Sequence, residues 1–174
     1  MSLIERTITI LEESALREIV LYLLSNVPGF PPITQSLHIL GIASVMGSVL
    51  MIDLKILGVA LPSQNTSEMI SRLMPWTWWA LLVNLITGSI FVIARPARYF
   101  YNPVFEIKFL LLLPAMILAV ILYALNRKQN GFWEQSTPHL FWAKAISFIS
   151  LLLWIGVVLA GRWIAYSEYL FYYE

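Results

Sequence analysis

Residues 33–61, ITQSLHILGIASVMGSVLMIDLKILGVAL, form one long apolar run that carries a histidine, a series of small residues and an aspartate. A membrane span needs roughly 20 mainly apolar residues, so at ~1.5 Å per residue this run can cross a bilayer even when tilted. In lipid every backbone N–H and C=O must be bonded within the segment, which leaves a single run little choice but helix. On a helix His38, Gly41, Val45, Ser48 and Ile52 share one stripe, with Ser44 and Gly47 beside it. Small side chains let helix backbones approach where lipid offers no hydrophobic drive to associate. The stripe is therefore expected to face other helices, and His38 to point into protein. An ionisable group in that place is a candidate functional site.

The rest of the chain agrees with a membrane setting. Of its 174 residues 59% are hydrophobic and only 12% charged, with a mean hydropathy of +0.76. Soluble domains carry about 25% charged residues. The net charge of +1 offers no basic patch and argues against nucleic acid as a partner. With no cysteine, thiolate metal sites, disulfides and cysteine nucleophiles are excluded, and with two histidines a multi-histidine metal site needs several copies of the chain. The opening MSLIERTITILEES lacks the basic and apolar regions of a signal peptide.

Residues 3–24 place Ile4, Ile8, Leu11, Ala15, Leu16, Ile19 and Leu23 on one face, with Glu5, Arg6, Glu12, Glu13 and Arg17 on the other. The expectation is an amphipathic helix lying along the interface, within residues 1–27. Val27–Pro32 then turns the chain into the first span. A second span is expected over about 75–95, opened by Pro75 and the interfacial Trp76, Trp78 and Trp79, and closed by Arg95-Pro96. A third runs over about 103–126, with Asn102 as its N-cap, Pro103 at its first position and Pro114 as a kink. A polar loop, Asn126–Thr137, leads to a fourth from Thr137 to about Tyr166, followed by the aromatic tail 167–174. The predicted fold is thus all-α: a four-transmembrane-helix bundle over residues 33–166 with an N-terminal interfacial helix.

Four spans put both termini on one side. That side holds Arg6, Arg17, Arg95, Arg98, Lys108 and Arg162, against Lys55, Arg72, Arg127, Lys128 and Lys144 on the other, too even a split to orient the protein. The same topology gathers His38, Arg95, Glu106, Lys108 and Arg162 at the terminal side. Glu106 and Lys108, two residues apart, cannot both face His38. At the opposite side Asp53 and Lys144 are placed to form an ion pair that lowers the cost of burying either charge.

Three readings of the terminal-side cluster stand open. In one, His38 bonds a neighbouring helix and the cations snorkel to headgroups. In the second, His38 is the metal ligand of a b-type haem, with Arg95, Lys108 or Arg162 meeting the propionates, as cofactors sit between facing helices of bundles. The guanidinium of Arg162, with five donors, suits a carboxylate or phosphate. In the third, His38 works with Met46, Met51 or Met116 to move copper or another ion. The two histidines start spans on opposite sides, so they cannot be paired axial ligands in one chain. No nucleophile–base pair, phosphate loop or paired-carboxylate site points to an enzyme.

Leu37-His38-Ile39-Leu40-Gly41, followed by Gly47, resembles the Leu-His-x-x-Gly span of the copper-resistance protein D superfamily and of uncharacterised bacterial membrane families near it. Asn102-Pro103-Val104-Phe105-Glu106-Ile107-Lys108 and the segments Trp154-Ile155-Gly156 and Gly161–Tyr166 resemble those bacterial four-span families specifically. The resemblance implies a multi-pass bundle of the bacterial inner membrane. Only His38 matches the superfamily's motif at a ligand-capable position, and the further histidines a copper pathway would use are missing. The expectation is a cofactor-holding (haem b) or accessory subunit of a membrane redox assembly, working as a homo-oligomer or within a larger membrane complex. Copper or ion permeation and a purely structural subunit are the alternatives.

Overall fold

The computed structural model describes residues 2–128 and 136–167, and all of the regular structure there is helical. The four expected spans form as α3 (Phe30–Leu57), α4 (Thr66–Ala94), α6 (Pro103–Lys128) and α7 (Thr137–Trp163), the last prolonged by a 3-10 turn over Ile164–Tyr166. Each is long and apolar enough to cross a membrane, so the chain has the architecture of a multi-pass membrane protein. Around the bundle α3 touches α4 and α7, and α6 touches the same two, leaving α3 and α6 on the diagonal. Most of every span faces outward, as Leu110, Ile39 and Leu85 do, because lipid solvates an apolar side chain as well as a protein interior would.

Residues 3–24 are two helices, not one: α1 (Leu3–Glu12) and α2 (Ala15–Asn26). Ser14 breaks them, its hydroxyl accepting the Arg17 N–H at 3.2 Å in the manner of an N-cap, while Ser2 and Glu5 close a reciprocal capping box on α1. Of the apolar face only Ile8 is buried, joined by Val20. α1 packs on the five-residue α5 (Pro96–Phe100), and α2 packs on α4 and α3. α3 starts inside the proline segment, at Phe30, since Pro31 and Pro32 fit a first turn whose N–H groups are unbonded anyway. It stops at Gly58, whose φ of +82° is left-handed backbone that glycine takes without penalty. α4 starts well before Pro75, at the Asn65 cap, so Trp76 and Trp79 lie about three and four turns into the helix and face outward. Both α4 and α6 continue through their prolines, Pro75 and Pro114. The tail residues Tyr169, Phe171, Tyr172 and Tyr173 and most of the predicted loop before α7 lie outside the described residues.

Two apolar clusters fill the interior. Ile52, Ile56, Ile70, Met74, Leu122 and Ala143 make one, and Val45, Val49, Ala80, Ala115 and Trp154 the other. Two asparagines tie the ends of α6. Asn102 caps it by accepting the Val104 N–H at 3.0 Å, and its amide nitrogen donates to the Ile164 carbonyl (3.1 Å) and to Ser167 Oγ (2.8 Å). At the far end the Asn126 amide donates to the Ser67 carbonyl at 3.1 Å. Asn102 is buried, so Asn102→Ala leaves the Val104 N–H without its cap and removes the ties to Ile164 and Ser167, at an expected cost of about 2 kcal/mol. Thermal melting of the detergent-solubilised variant measures this, and an unchanged melting temperature would show that water replaces the amide.

Candidate functional site

His38 occupies the third turn of α3, half-buried against α4, and its ring nitrogen Nδ1 lies 2.7 Å from Thr87 Oγ1. The same hydroxyl is 2.7 Å from the Val83 carbonyl one turn back in its own helix. A carbonyl can only accept, so the single Thr87 proton goes to Val83 and the hydroxyl oxygen receives Nδ1–H from the ring. This assigns the tautomer: Nδ1 carries the proton, and Nε2 keeps a lone pair. The ring lies against Gly88 of α4, where a Cβ would stand 3.4 Å from His38 Cε1, at the close edge of ordinary contact.

The backbone beneath His38 is held as well. The Asn84 carboxamide, in the orientation that suits both neighbours, donates to the His38 carbonyl at 2.8 Å and accepts from the Ile42 N–H at 3.2 Å. It reaches them through Gly41, where a Cβ would stand 2.5 Å from the carboxamide. Asn84, Thr87 and Gly88 thus form one face of α4 that fixes both the backbone and the ring of His38. The buried stripe of Gly41, Val45, Ser48 and Ile52 is as the periodicity predicts. Gly47 is not on it: the residue is exposed, with open space where a Cβ would go.

Lys108 of α6 is the cation brought to His38. Its ammonium is near enough for its charge to act on the ring, and its Nζ and Cε lie 3.7 Å from the position of a Cβ on Gly161 of α7. The glycine gives the lysine chain a bed on α7, and Glu106, two residues before it, is exposed. Arg162 is exposed and turned to Tyr166, donating to its hydroxyl at 3.2 Å with the guanidinium 5.3 Å from the ring centre. Arg95 is exposed at the joint between α4 and α5. There burial pushes the Tyr99 phenol above its ordinary range, opposed by the charges of Arg98 and Arg95. All four spans therefore contribute to the His38–Lys108 site, while Arg95 and Arg162 are exposed, Arg162 bonding to Tyr166.

The remaining candidates disperse. Met46 and Met116 pack against the Trp154 cluster and Met51 faces outward. The predicted Asp53–Lys144 pair does not form. Asp53 is buried, Lys144 is exposed, and the ion pair found among the described residues is Arg72–Glu68, at 2.6 Å across the first two turns of α4. Among the described residues no three of His, Asp and Glu converge as a metal cluster. Asn84 and Thr87 went unrecognised in the sequence, although an amide and a hydroxyl three residues apart inside an apolar span give a legible signal.

A family model described as a family of unknown function, DUF6644, matches residues 22–167. No curated protein and no solved structure matches the chain.

Proposed function

The chain belongs to the DUF6644 family, whose function is unknown, and from the geometry around His38 we propose that it holds a b-type haem in a membrane redox assembly, as an electron-carrying or accessory subunit. One observation carries this reading: Thr87 takes the Nδ1 proton and leaves the Nε2 lone pair of a half-buried intramembrane histidine to a ligand. A metal-ligating histidine is normally oriented in this way by a partner on its other nitrogen. The donor set suits a porphyrin better than a bare ion. Haem would bring four nitrogens of its own and would take few donors from the protein, whereas a bare ion needs several, and among the described residues no three of His, Asp and Glu converge. Bound haem would supply one-electron redox chemistry.

The remaining roles fall to the chain's own residues. His38 would ligate, Thr87 would hold the ring and raise its basicity, and Asn84 would fix the backbone below it. Lys108 would pair with a propionate, a carboxylate that needs a positive partner at membrane depth. Gly88 and Gly161 keep bulk away from the ring and from the lysine.

Protein purified from cells supplied with haem precursor is expected to show a Soret band that shifts on reduction with dithionite. His38→Ala should insert and purify but lose the band. Thr87→Val should bind haem about 10- to 100-fold more weakly, the usual cost of losing a ligand's orienting partner. Colourless wild-type protein from haem-replete cells would end this reading.

A further inference from the structure

The second ionisable residue of α3 lies fifteen positions beyond His38, about 22 Å along the helix, and is buried more deeply. Asp53 is 1% exposed, and neither of its carboxyl oxygens has a hydrogen-bond partner. No basic side chain pairs with it among the described residues. Lys55, the nearest lysine in sequence, donates instead to the Pro62 carbonyl at 3.1 Å. Across from Asp53 stand the hydroxyls of Ser147 and Ser150 of α7, three residues apart on that helix's buried face. Ser147 is 0% exposed and its Oγ is also without a partner. Ile52, Ile56 and Ala143 close the apolar packing on either side.

A bare carboxylate in such a place costs far more than one hydrogen bond recovers, so the group needs a positive partner. A proton would serve one oxygen and draw a serine into a direct hydrogen bond with the acid. Ser147 and Ser150 face the carboxyl closely enough to act on its charge, but neither carboxyl oxygen stands in full hydrogen-bond geometry. A cation differs, because it accepts lone pairs from the carboxylate and from both hydroxyls at once. The donors are hard oxygens with no nitrogen or sulfur, which suits an alkali or alkaline-earth ion. They carry a single negative charge, which balances a monovalent ion and leaves a divalent one with uncompensated charge in an apolar setting. We propose that Asp53, Ser147 and Ser150 form a binding site for a dehydrated sodium ion between α3 and α7.

The test uses the full-length protein in detergent or nanodiscs, melted in sodium chloride and in choline chloride at equal ionic strength. A ligand that binds only the folded state raises its stability with concentration. Sodium is expected to raise the melting temperature saturably and choline to leave it flat. Asp53→Asn, nearly isosteric, should remove the sodium response. Ser147→Ala with Ser150→Ala should move its midpoint to about tenfold higher sodium, the loss expected for buried polar contacts. Binding of radioactive sodium to wild-type protein reads the site without relying on any variant's folding. Equal melting in both salts with no sodium retained overturns the proposal. So does a sodium response that survives in Asp53→Asn, and so does a melting temperature that follows pH but ignores sodium, which assigns the site to a proton.

Discussion

Gly41→Leu is expected to lower the melting temperature of the solubilised bundle sharply, while Gly47→Leu, six residues along the same helix, leaves it unchanged. At position 41 even a methyl group would meet the Asn84 carboxamide at 2.5 Å. That amide cannot simply swing aside, because it is bonded to the His38 carbonyl and the Ile42 N–H. Relief requires either breaking both bonds or moving α4 away from α3. Overpacking alone costs about 1–3 kcal/mol, and the two lost hydrogen bonds add to it, so about 3 kcal/mol is expected. Gly47 looks onto open space, where a leucine meets only lipid or detergent. Intrinsic tryptophan fluorescence during a thermal ramp separates the two variants. Equal melting temperatures would mean that α3 and α4 do not meet at Gly41.

The second large effect is expected at Trp154, a 2% exposed indole set among Val45, Val49, Ala80 and Ala115. Trp154→Ala should destabilise by about 3 kcal/mol, the low end of the range for emptying a large aromatic site. The low end applies because the unfolded reference in a membrane is already apolar, which leaves mainly lost packing contacts. Trp154→Phe is the informative companion. The buried indole nitrogen has no hydrogen-bond partner, so phenylalanine gives up volume but no bond and should retain most of the stability. If Phe proves as damaging as Ala, the indole N–H has a bonding role.

Four spans were legible because runs of apolar residues this long have few alternatives, and Asn102-Pro103 and Thr137-Pro138 punctuate two of them by chemistry that acts locally. Boundaries failed where amphipathic helix continued an apolar one. The second span is expected from about residue 75 because Glu68, Ser71 and Arg72 are polar, yet Met69, Ile70 and Met74 on the other face are core. The break at Ser14 was hidden because an isolated serine followed by Arg17, in place of the acidic residue of a capping box, looks like helix interior. His38 was legible as a site because an imidazole in an apolar run has no cheap explanation. Its orienter was not, because Thr87 lies 49 residues away and only helix packing brings it near. Spacing forbade Glu106 and Lys108 from facing His38 together but could not choose between them. Gly161 on a different span decides for the lysine.

The paired asparagines of α6 bear on how the bundle can move. Apolar helices in lipid can slide along one another by a turn, about 5.4 Å, with little change in the surface they present to the bilayer. Asn102 fastens one end of α6 to the end of α7, and Asn126 fastens the other to the start of α4. A piston or screw displacement of α6 against either neighbour would break one of these fastenings. The depth of Lys108, six residues from Asn102, is thereby locked to that of Gly161, and the cation stays level with His38 while the lipid around it thickens or thins.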